Sequence, residues 1–300
     1  MKKYIFLLLA TVIISLSAKA QQFALYSQYM QNKYALNPAV VGTNDGILLG
    51  ASYRQMWTGL KDAPSISTLS GHTAINEAMG VGGRIFNIST GPQVQTGFEG
   101  TYAYRFKISD DIKLSLGLSA ILSQYSIDKS MLDMKNPDDR AINTGSENLI
   151  VPDANFGAYL YAKNYYFGLV GSQLIPLKVN YKSAYLEDKQ ERHYFAHAGY
   201  RYDVSDNFGI EPSILFRYIE AGVLQLDVNL KFSIKKMFWI GGSYRLNDAA
   251  VAMFGVQTDK IMFGYSYDYT LSEIGNFSNG SHEIVLIFKL GGSENNRLLN

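Results

Sequence analysis

The stretch Ile112–Ser123, written IKLSLGLSAILS, decides the fold of this chain. Its even positions are apolar, and its odd positions, apart from Ile121, are small or polar. Successive side chains of a β-strand point to opposite faces, so the pattern predicts a strand with one apolar and one polar face. The same alternation recurs in Leu224–Phe232 and again near 94–107 and 260–269.

Two architectures produce such strands: a soluble β-sandwich, and a transmembrane barrel with its apolar face in lipid. The segments run about ten residues, the length that a tilted strand needs to cross hydrocarbon. Many end in Tyr or Phe, of which the chain has 22 and 16, and aromatic rings favour the membrane interface. The polar face carries charges of both signs, as a wet lumen permits: Arg54, Glu99, Arg105, Asp227 and Lys231. The barrel is therefore favoured.

The connections between segments support a closed barrel. About 14 strands are predicted, near 46–57, 65–76, 79–88, 94–107, 112–125, 153–162, 165–172, 192–202, 207–218, 223–232, 237–245, 250–256, 260–269 and 281–290. All long gaps, at 58–64, 126–152, 173–191 and 270–280, alternate with short turns. Outer-membrane barrels have short periplasmic turns and long outer loops. We therefore expect an all-β, antiparallel up-and-down barrel over 46–290 with both termini in the periplasm, followed by a tail at 291–300.

One residue conflicts with a regular strand. Pro212 lies inside a predicted strand, where proline cannot donate a ladder hydrogen bond. The sequence therefore predicts a bulge or a local defect at Pro212.

The first twenty residues have the features of a cleaved signal peptide. Lys2-Lys3 precede the apolar run Tyr4–Ile14, and Ala18-Lys19-Ala20 forms an A-x-A cleavage signal. The mature chain is then expected to begin at Gln21. The sequence contains no Cys, which excludes disulfides, thiolate metal sites and a lipid-anchored amino terminus.

Residues 21–45 form a separate amino-terminal arm, predicted to be periplasmic. Phe23, Tyr26, Met30 and Lys33 follow helical spacing, and Asn37-Pro38 interrupts it. A short helix there would lie in the periplasm or fold into the barrel mouth. Two roles remain open: an arm that plugs or braces the barrel, and a docking element for a periplasmic partner.

The residues that could carry chemistry favour a structural interpretation. His193 and His197 alternate with Tyr and Ala, so they belong to a strand and point into the lumen rather than forming a helical metal site. Ser281, His282 and Glu283 are adjacent on a strand and cannot converge on one catalytic centre. No cofactor, metal site or catalytic residue is predicted, and the formal net charge of +1 argues against nucleic-acid binding.

Short motifs along the whole mature chain, in order, resemble the PorP/SprF family of type IX secretion proteins of Bacteroidetes. They include SQYM at Ser27–Met30, NPA at Asn37–Ala39, YRQMW at Tyr53–Trp57 and GSHEI at Gly280–Ile284. The motif residues singled out are Ser27, Gln28, Tyr29, Asn37, Pro38, Arg54, Gln55, Trp57, Pro64, Ser281, His282 and Glu283.

The resemblance implies a non-enzymatic outer-membrane barrel of the type IX secretion and gliding machinery. Such a barrel supports secretion or surface anchoring of an adhesin-like protein with a C-terminal sorting domain. Its partners would be the lipid bilayer, that cargo, and periplasmic type IX components including a peptidoglycan-binding lipoprotein. Loops 126–152 and 173–191 would face the cargo, and the arm and turns would face the periplasmic components. The alternative function is a passive porin or small-solute channel.

Overall fold

The computed structural model describes residues 26–128, 131, 146–175, 178–180, 187–220 and 222–292. The predicted signal peptide, with its cleavage site at Ala18, Ala20 and Gln21, lies outside this part of the chain. Most of the predicted tail, 293–300, does so too.

The described chain is almost entirely β-structure. Its strands are β1 Ile47–Gln55, β2 Ser65–Ala74, β3 Met79–Thr90, β4 Gln93–Lys107, β5 Lys113–Asp128, β6 Ser146–Tyr161, β7 Tyr165–Ser172, β8 Lys178–Asn180, β9 Glu187–Lys189, β10 His193–Tyr200, β11 Tyr202–Ser205, β12 Phe208–Ile219, β13 Val223–Ile234, β14 Phe238–Arg245, β15 Ala249–Gln257, β16 Ile261–Thr270 and β17 Ser281–Leu290. Short 3-10 helices cover Lys33–Ala35, Pro38–Val40 and Glu273–Asn276.

The strands close into an antiparallel barrel. Each barrel strand pairs with its sequence neighbours, β1 pairs with β17, and β10 pairs with both β7 and β12. The strands β10 and β11 both pair with β12, one after the other, and together count as one barrel strand. The strands β8 and β9 form a separate hairpin. The barrel therefore has 14 strands. The predicted fold class and strand number are confirmed.

The two faces of the wall differ as the alternation predicts. On β5, Leu118 and Leu122 are exposed on the outer face, whereas Ser119 and Ser123 are buried on the inner face. The outer face of a barrel in lipid must be apolar, and the inner face is free to be polar. Among the described residues, no helix is long and apolar enough to cross a membrane.

The connections sort to the two ends of the barrel as predicted. One end, here called the loop end, carries the long connections 56–64, 129–145, 173–192 and 271–280, together with a few short ones. The other, the turn end, carries only short turns, the start of β1 and the end of β17. The predicted loop 126–152 is shorter than expected because β5 extends to Asp128 and β6 begins at Ser146.

The defect predicted at Pro212 lies in the neighbouring strand. Pairing of β12 with β13 runs through Pro212 without a shift. On the other side, the ladder stops at Gly199 opposite Ser213 and resumes at Tyr202 opposite Ile210. Proline has no N–H to donate to the missing pair. On the β7 side the ladder continues, and the backbone N–H of Arg201 bonds to the carbonyl of Asn164 at 2.7 Å.

The lumen is less polar than the alternation predicts. Inward-facing Phe195, Leu215, Trp239, Val251 and Met253 are all buried and belong to one hydrophobic cluster inside the barrel. That cluster also contains Tyr29 and Met30 of the arm. The apolar inner residues of the wall therefore pack against the arm, and strand periodicity does not reveal this contact.

Candidate functional site

The segment of residues 26–45, here called the plug, lies inside the barrel. Tyr26 packs near Met56 and Ile66 at the loop end, and Gly42 donates its backbone N–H to His72 Nδ1 near the turn end at 3.2 Å. Most plug residues are buried, and the exposed fraction of Gln28 and of Asn37 is 0%. Of the two roles considered for the arm, the structure shows an arm that fills the lumen.

The predicted helix in this segment is wrong for the described residues. The plug contains a turn over residues 27–31 and two 3-10 helices, Lys33–Ala35 and Pro38–Val40. The backbone N–H groups of Ser27 and Gln28 donate to the Glu283 carboxylate, at 2.6 and 3.2 Å. The N–H groups of Gln31 and Asn32 donate to the Gln28 carbonyl, so local bonding here is limited to a single turn. Asn37 does end the first element, as predicted, and its side chain caps the second by accepting from the Ala39 N–H.

A buried cluster of charges holds the loop end of the plug. Arg54 Nη2 lies 2.7 Å from Asp268 Oδ2, and Arg54 Nη1 lies 3.1 Å from Glu283 Oε2. The Ser27 hydroxyl sits between them, accepting from Arg54 Nη1 at 2.7 Å and donating to Asp268 Oδ2 at 2.6 Å. A buried carboxylate needs a paired cation, so Arg54, Asp268 and Glu283 support one another and bind the plug together.

A second arginine extends this cluster around the wall. Arg245 Nη1 contacts Asp268 Oδ2 at 3.2 Å, and Arg245 Nε contacts Asp227 Oδ2 at 3.0 Å. Arg245 Nη2 also donates to the Ser27 hydroxyl at 3.2 Å. Ser27 therefore joins side chains of four barrel strands, β1, β14, β16 and β17, to the plug.

Asn37 anchors the middle of the plug. Its side-chain N–H groups donate to His197 Nε2 at 3.0 Å and to the Ala158 carbonyl at 3.2 Å. Because Asn37 Oδ1 accepts from the Ala39 N–H, the amide orientation is fixed and His197 Nε2 is the acceptor. The neighbouring wall carries glycines at the contact: a Cβ on Gly117 would lie 2.4 Å from the Ala39 nitrogen.

Aromatic and polar side chains of the plug find partners on other strands. The Tyr29 hydroxyl accepts from Asn229 Nδ2 at 2.6 Å, and the Tyr34 hydroxyl lies 3.0 Å from Thr101 Oγ1. Lys33 Nζ lies 4.0 Å from the centre of the Tyr166 ring.

Arg105 closes the turn end. Its guanidinium donates to the Val41 carbonyl of the plug at 3.3 Å and to the Met79 carbonyl at 3.1 Å. It also donates to the carbonyls of Glu77 and Asn76. The plug is thus bound at both ends and in the middle, by strands all the way around the barrel.

A cavity remains between the plug and the wall at the loop-end side. Its volume is about 900 Å³, including space open to solvent, and its walls include Tyr26, Leu36, Phe86, Ile121 and Asp153. We call this cavity the vestibule.

The structure places each residue that the sequence singled out. His193 and His197 face the interior, as predicted. Ser281 and Glu283 are buried inside, whereas His282 is only partly buried and its Nδ1 lies 2.7 Å from the outward Tyr265 hydroxyl. Among the described residues, no group of three or more His, Cys, Asp and Glu side chains could hold a metal ion.

The family-motif residues fall into two groups and a remainder. Ser27, Gln28, Arg54 and Glu283 meet at the charge cluster. The backbone N–H of Trp57 donates to Ser281 Oγ at 3.0 Å, and Gln55 Nε2 donates to the Pro64 carbonyl at 3.3 Å. These two pairs lie at the loop end. Tyr29, Asn37 and Pro38 are buried in the plug. Any functional role for these residues stays a prediction.

The charged wall residues missed by the sequence interpretation include Arg84, Glu211 and Arg245. Arg84 pairs with Glu99, and Lys231 Nζ lies 2.6 Å from Glu211 Oε2. The side chains of all three residues point into the barrel. The sequence signal that could have identified them is a pair of opposite charges at register positions of adjacent strands. Glu211 and Lys231, for example, are register partners.

Fold and lumen together define an outer-membrane type of barrel closed by its own amino-terminal segment. The model of the family "Type IX secretion system membrane protein PorP/SprF" matches residues 18–288, so the chain belongs to this family. The family and the fold are those of a secretion membrane protein rather than of an enzyme. No curated protein matches the chain significantly.

Solved structures with a similar fold are outer-membrane barrels. The CymD monoaromatic hydrocarbon channel matches with 10% identity and a TM-score of 0.51, over 90% of this chain and 94% of that chain. A Pseudomonas aeruginosa FadL homologue matches with 10% identity and a TM-score of 0.48, over 86% and 94%. Acinetobacter baumannii Omp33 matches with 9% identity and a TM-score of 0.47, over 83% and 100%. At 10% identity, the likeness to the CymD channel shows the fold alone.

Proposed function

We propose that this barrel anchors or helps export a surface protein for the type IX secretion machinery, without acting as a conduit itself. The partner would be an adhesin-like cargo with a C-terminal sorting domain. Periplasmic components, including a peptidoglycan-binding lipoprotein, would bind on the opposite side of the membrane. Family membership supports the secretion context.

The plug is the observation that carries this proposal. A passive porin needs an open lumen, and here residues 26–45 occupy it from the loop end to the turn end. The contacts are buried and specific, including Ser27 with Arg54 and Asn37 with His197. A barrel closed in this way can bind partner proteins on its surfaces, but it does not provide a passage for solutes through its lumen.

The orientation of the barrel follows from its connections. We infer that the loop end faces the exterior and the turn end faces the periplasm, since long loops lie outside in outer-membrane barrels. The end of β17 at Leu290 is then periplasmic. Tyr26 lies at the loop end, and the expectation that both termini are periplasmic stays a prediction. Residues 1–25 lie outside the described chain.

Loop replacement tests the proposed role. Exchanging residues 129–145, or residues 173–192, for a short Gly/Ser turn removes the largest exterior surfaces and leaves the barrel strands intact. We expect surface display of the cargo to be lost while heat-modifiable, folded barrel persists in the outer membrane. Display is measured by protease shaving and antibody labelling of intact cells.

A turn-end exchange provides the matched control. Replacing residues 108–112 with the same kind of Gly/Ser turn alters the other end of the barrel, and cargo display should persist. Normal display after both loop replacements would contradict the proposed use of the loop end.

A further inference from the structure

The vestibule contains one acidic side chain, Asp153, that pairs with no cation of the described residues. The charged side chains on its described walls are Arg84, Glu99 and Asp153. Arg84 pairs with Glu99 through two guanidinium nitrogens. Asp153 has no cationic partner among the described residues, although its side chain is buried, with an exposed fraction of 7%.

The strand register explains why Arg84 does not neutralise Asp153. Glu99 of β4 is opposite Ile121 of β5, and Ile121 is opposite Asp153 of β6. Adjacent strands lie about 4.8 Å apart, so Glu99 and Asp153 are separated by roughly 10 Å. The apolar Ile121 side chain fills the row between them.

The Asp153 carboxylate lines the vestibule and is held by backbone donors at one of its two oxygens. Its Oδ1 accepts the backbone N–H groups of Ala154 at 2.7 Å and Ile175 at 3.2 Å. No described donor bonds to Oδ2. A carboxylate oriented by backbone donors and left open on one side is preorganised to accept a hydrogen bond from a cation.

The rest of the vestibule wall is mixed. It has apolar side chains, Leu36, Ile66, Phe86, Ile88 and Ile121, and polar ones, Gln95, Ser123, Asn155, Ser172 and Gln173. Among the described residues, no group of three or more His, Cys, Asp and Glu side chains could hold a metal ion. An ammonium or guanidinium group on an apolar body matches the Asp153 carboxylate and the apolar part of this wall. The plug lies beneath the vestibule, so a ligand that enters from the loop end is retained rather than passed through.

We propose that the vestibule binds a polypeptide segment carrying a Lys or Arg side chain between apolar residues, with the cation on Asp153 Oδ2. This inference rests on the proposed function, because it assigns the bound segment to the surface protein held at the loop end. Charge complementarity and the apolar side chains of the wall define its chemistry.

Peptide binding tests the assignment. The full chain, folded in detergent, is titrated by calorimetry with acetyl-Phe-Arg-Leu-amide and with the same peptide containing citrulline, the uncharged isostere of arginine. A hydrogen bond between charged groups at a buried site corresponds to about tenfold or more in affinity. We expect the arginine peptide to bind at least about tenfold more tightly. The substitution Asp153→Asn should remove this difference, and Asp110→Asn, at the exposed turn end, should preserve it.

Three results would overturn the assignment. Equal affinity of the two peptides for the unmodified chain would show that Asp153 selects no cation. Phenethylammonium binding as tightly as the arginine peptide would assign the vestibule to a free organic amine. Normal cargo display in cells producing Asp153→Asn would show that the vestibule does not bind the surface protein. The loop-replacement experiment tests the proposed function independently of this result.

Discussion

The barrel wall and the plug are built from the same chain by different rules. Wall strands pair with neighbours in sequence, and their side chains alternate between lipid and lumen. The plug pairs with residues far away in sequence: Ser27 contacts Asp268, and Tyr29 contacts Asn229. The wall is therefore specified locally, whereas the plug is specified by the complementary surface that the closed wall presents.

The wall and the plug should also differ in their sensitivity to mutation. Strand alternation tolerates many apolar substitutions on the outer face, because lipid accepts any of them. The plug contacts are individual, buried and charged, so single changes there should have large effects. Substitutions at the contact between wall and plug can therefore separate the two regions experimentally.

The largest single-residue effect is expected at Arg54. Replacing Arg54 with Leu removes the cation that pairs with Glu283 and leaves Asp268 with Arg245. Removing one partner of a buried pair costs about 3–5 kcal/mol. We expect a lower melting temperature in detergent and a plug accessible to protease. The matched change Lys107→Leu breaks the exposed pair with Asp110 and should leave both readouts unaltered. An unchanged melting temperature for Arg54→Leu would show that the cluster does not hold the plug.

A smaller effect, with no change of charge, is expected at Gly117. A Cβ there would lie 2.4 Å from backbone atoms of Pro38 and Ala39, which cannot rotate away. Overpacking of this kind costs about 1–3 kcal/mol, so Gly117→Ala should loosen the plug and lower the melting temperature. A Cβ on Gly100, on the adjacent strand, would meet no heavy atom within 4 Å, and Gly100→Ala should have no such effect. Equal melting of the two variants would contradict the close contact.

Sequence reasoning predicted most of the wall, because strand alternation is a local signal. Examples are the limits of Tyr165–Ser172 and Ser281–Leu290, and the ladder defect at Pro212. The alternation of apolar and polar residues along the strands also placed Arg54, Glu99 and Lys231 on the inner face.

The plug was predicted only as an open alternative. Its helical spacing was misleading, because local backbone bonding at Gln28 is limited to a single turn. The inner residues Trp239, Val251 and Met253 are apolar, although strand alternation predicts a polar inner face. They are apolar because they pack against the plug. Contacts between residues more than 200 positions apart, such as Ser27 with Glu283, leave no periodic trace in one sequence.

Electrical conductance tests the central claim, that residues 26–45 close the lumen, most directly. The full chain and a variant with residues 27–41 replaced by an equally long Gly/Ser segment are compared in planar bilayers, after heat-modifiability shows that both are folded. If residues 26–45 close the lumen, the full-length barrel conducts no current and the variant shows a steady, ohmic conductance. Equal conductance of the two proteins would contradict it and would favour a passive porin.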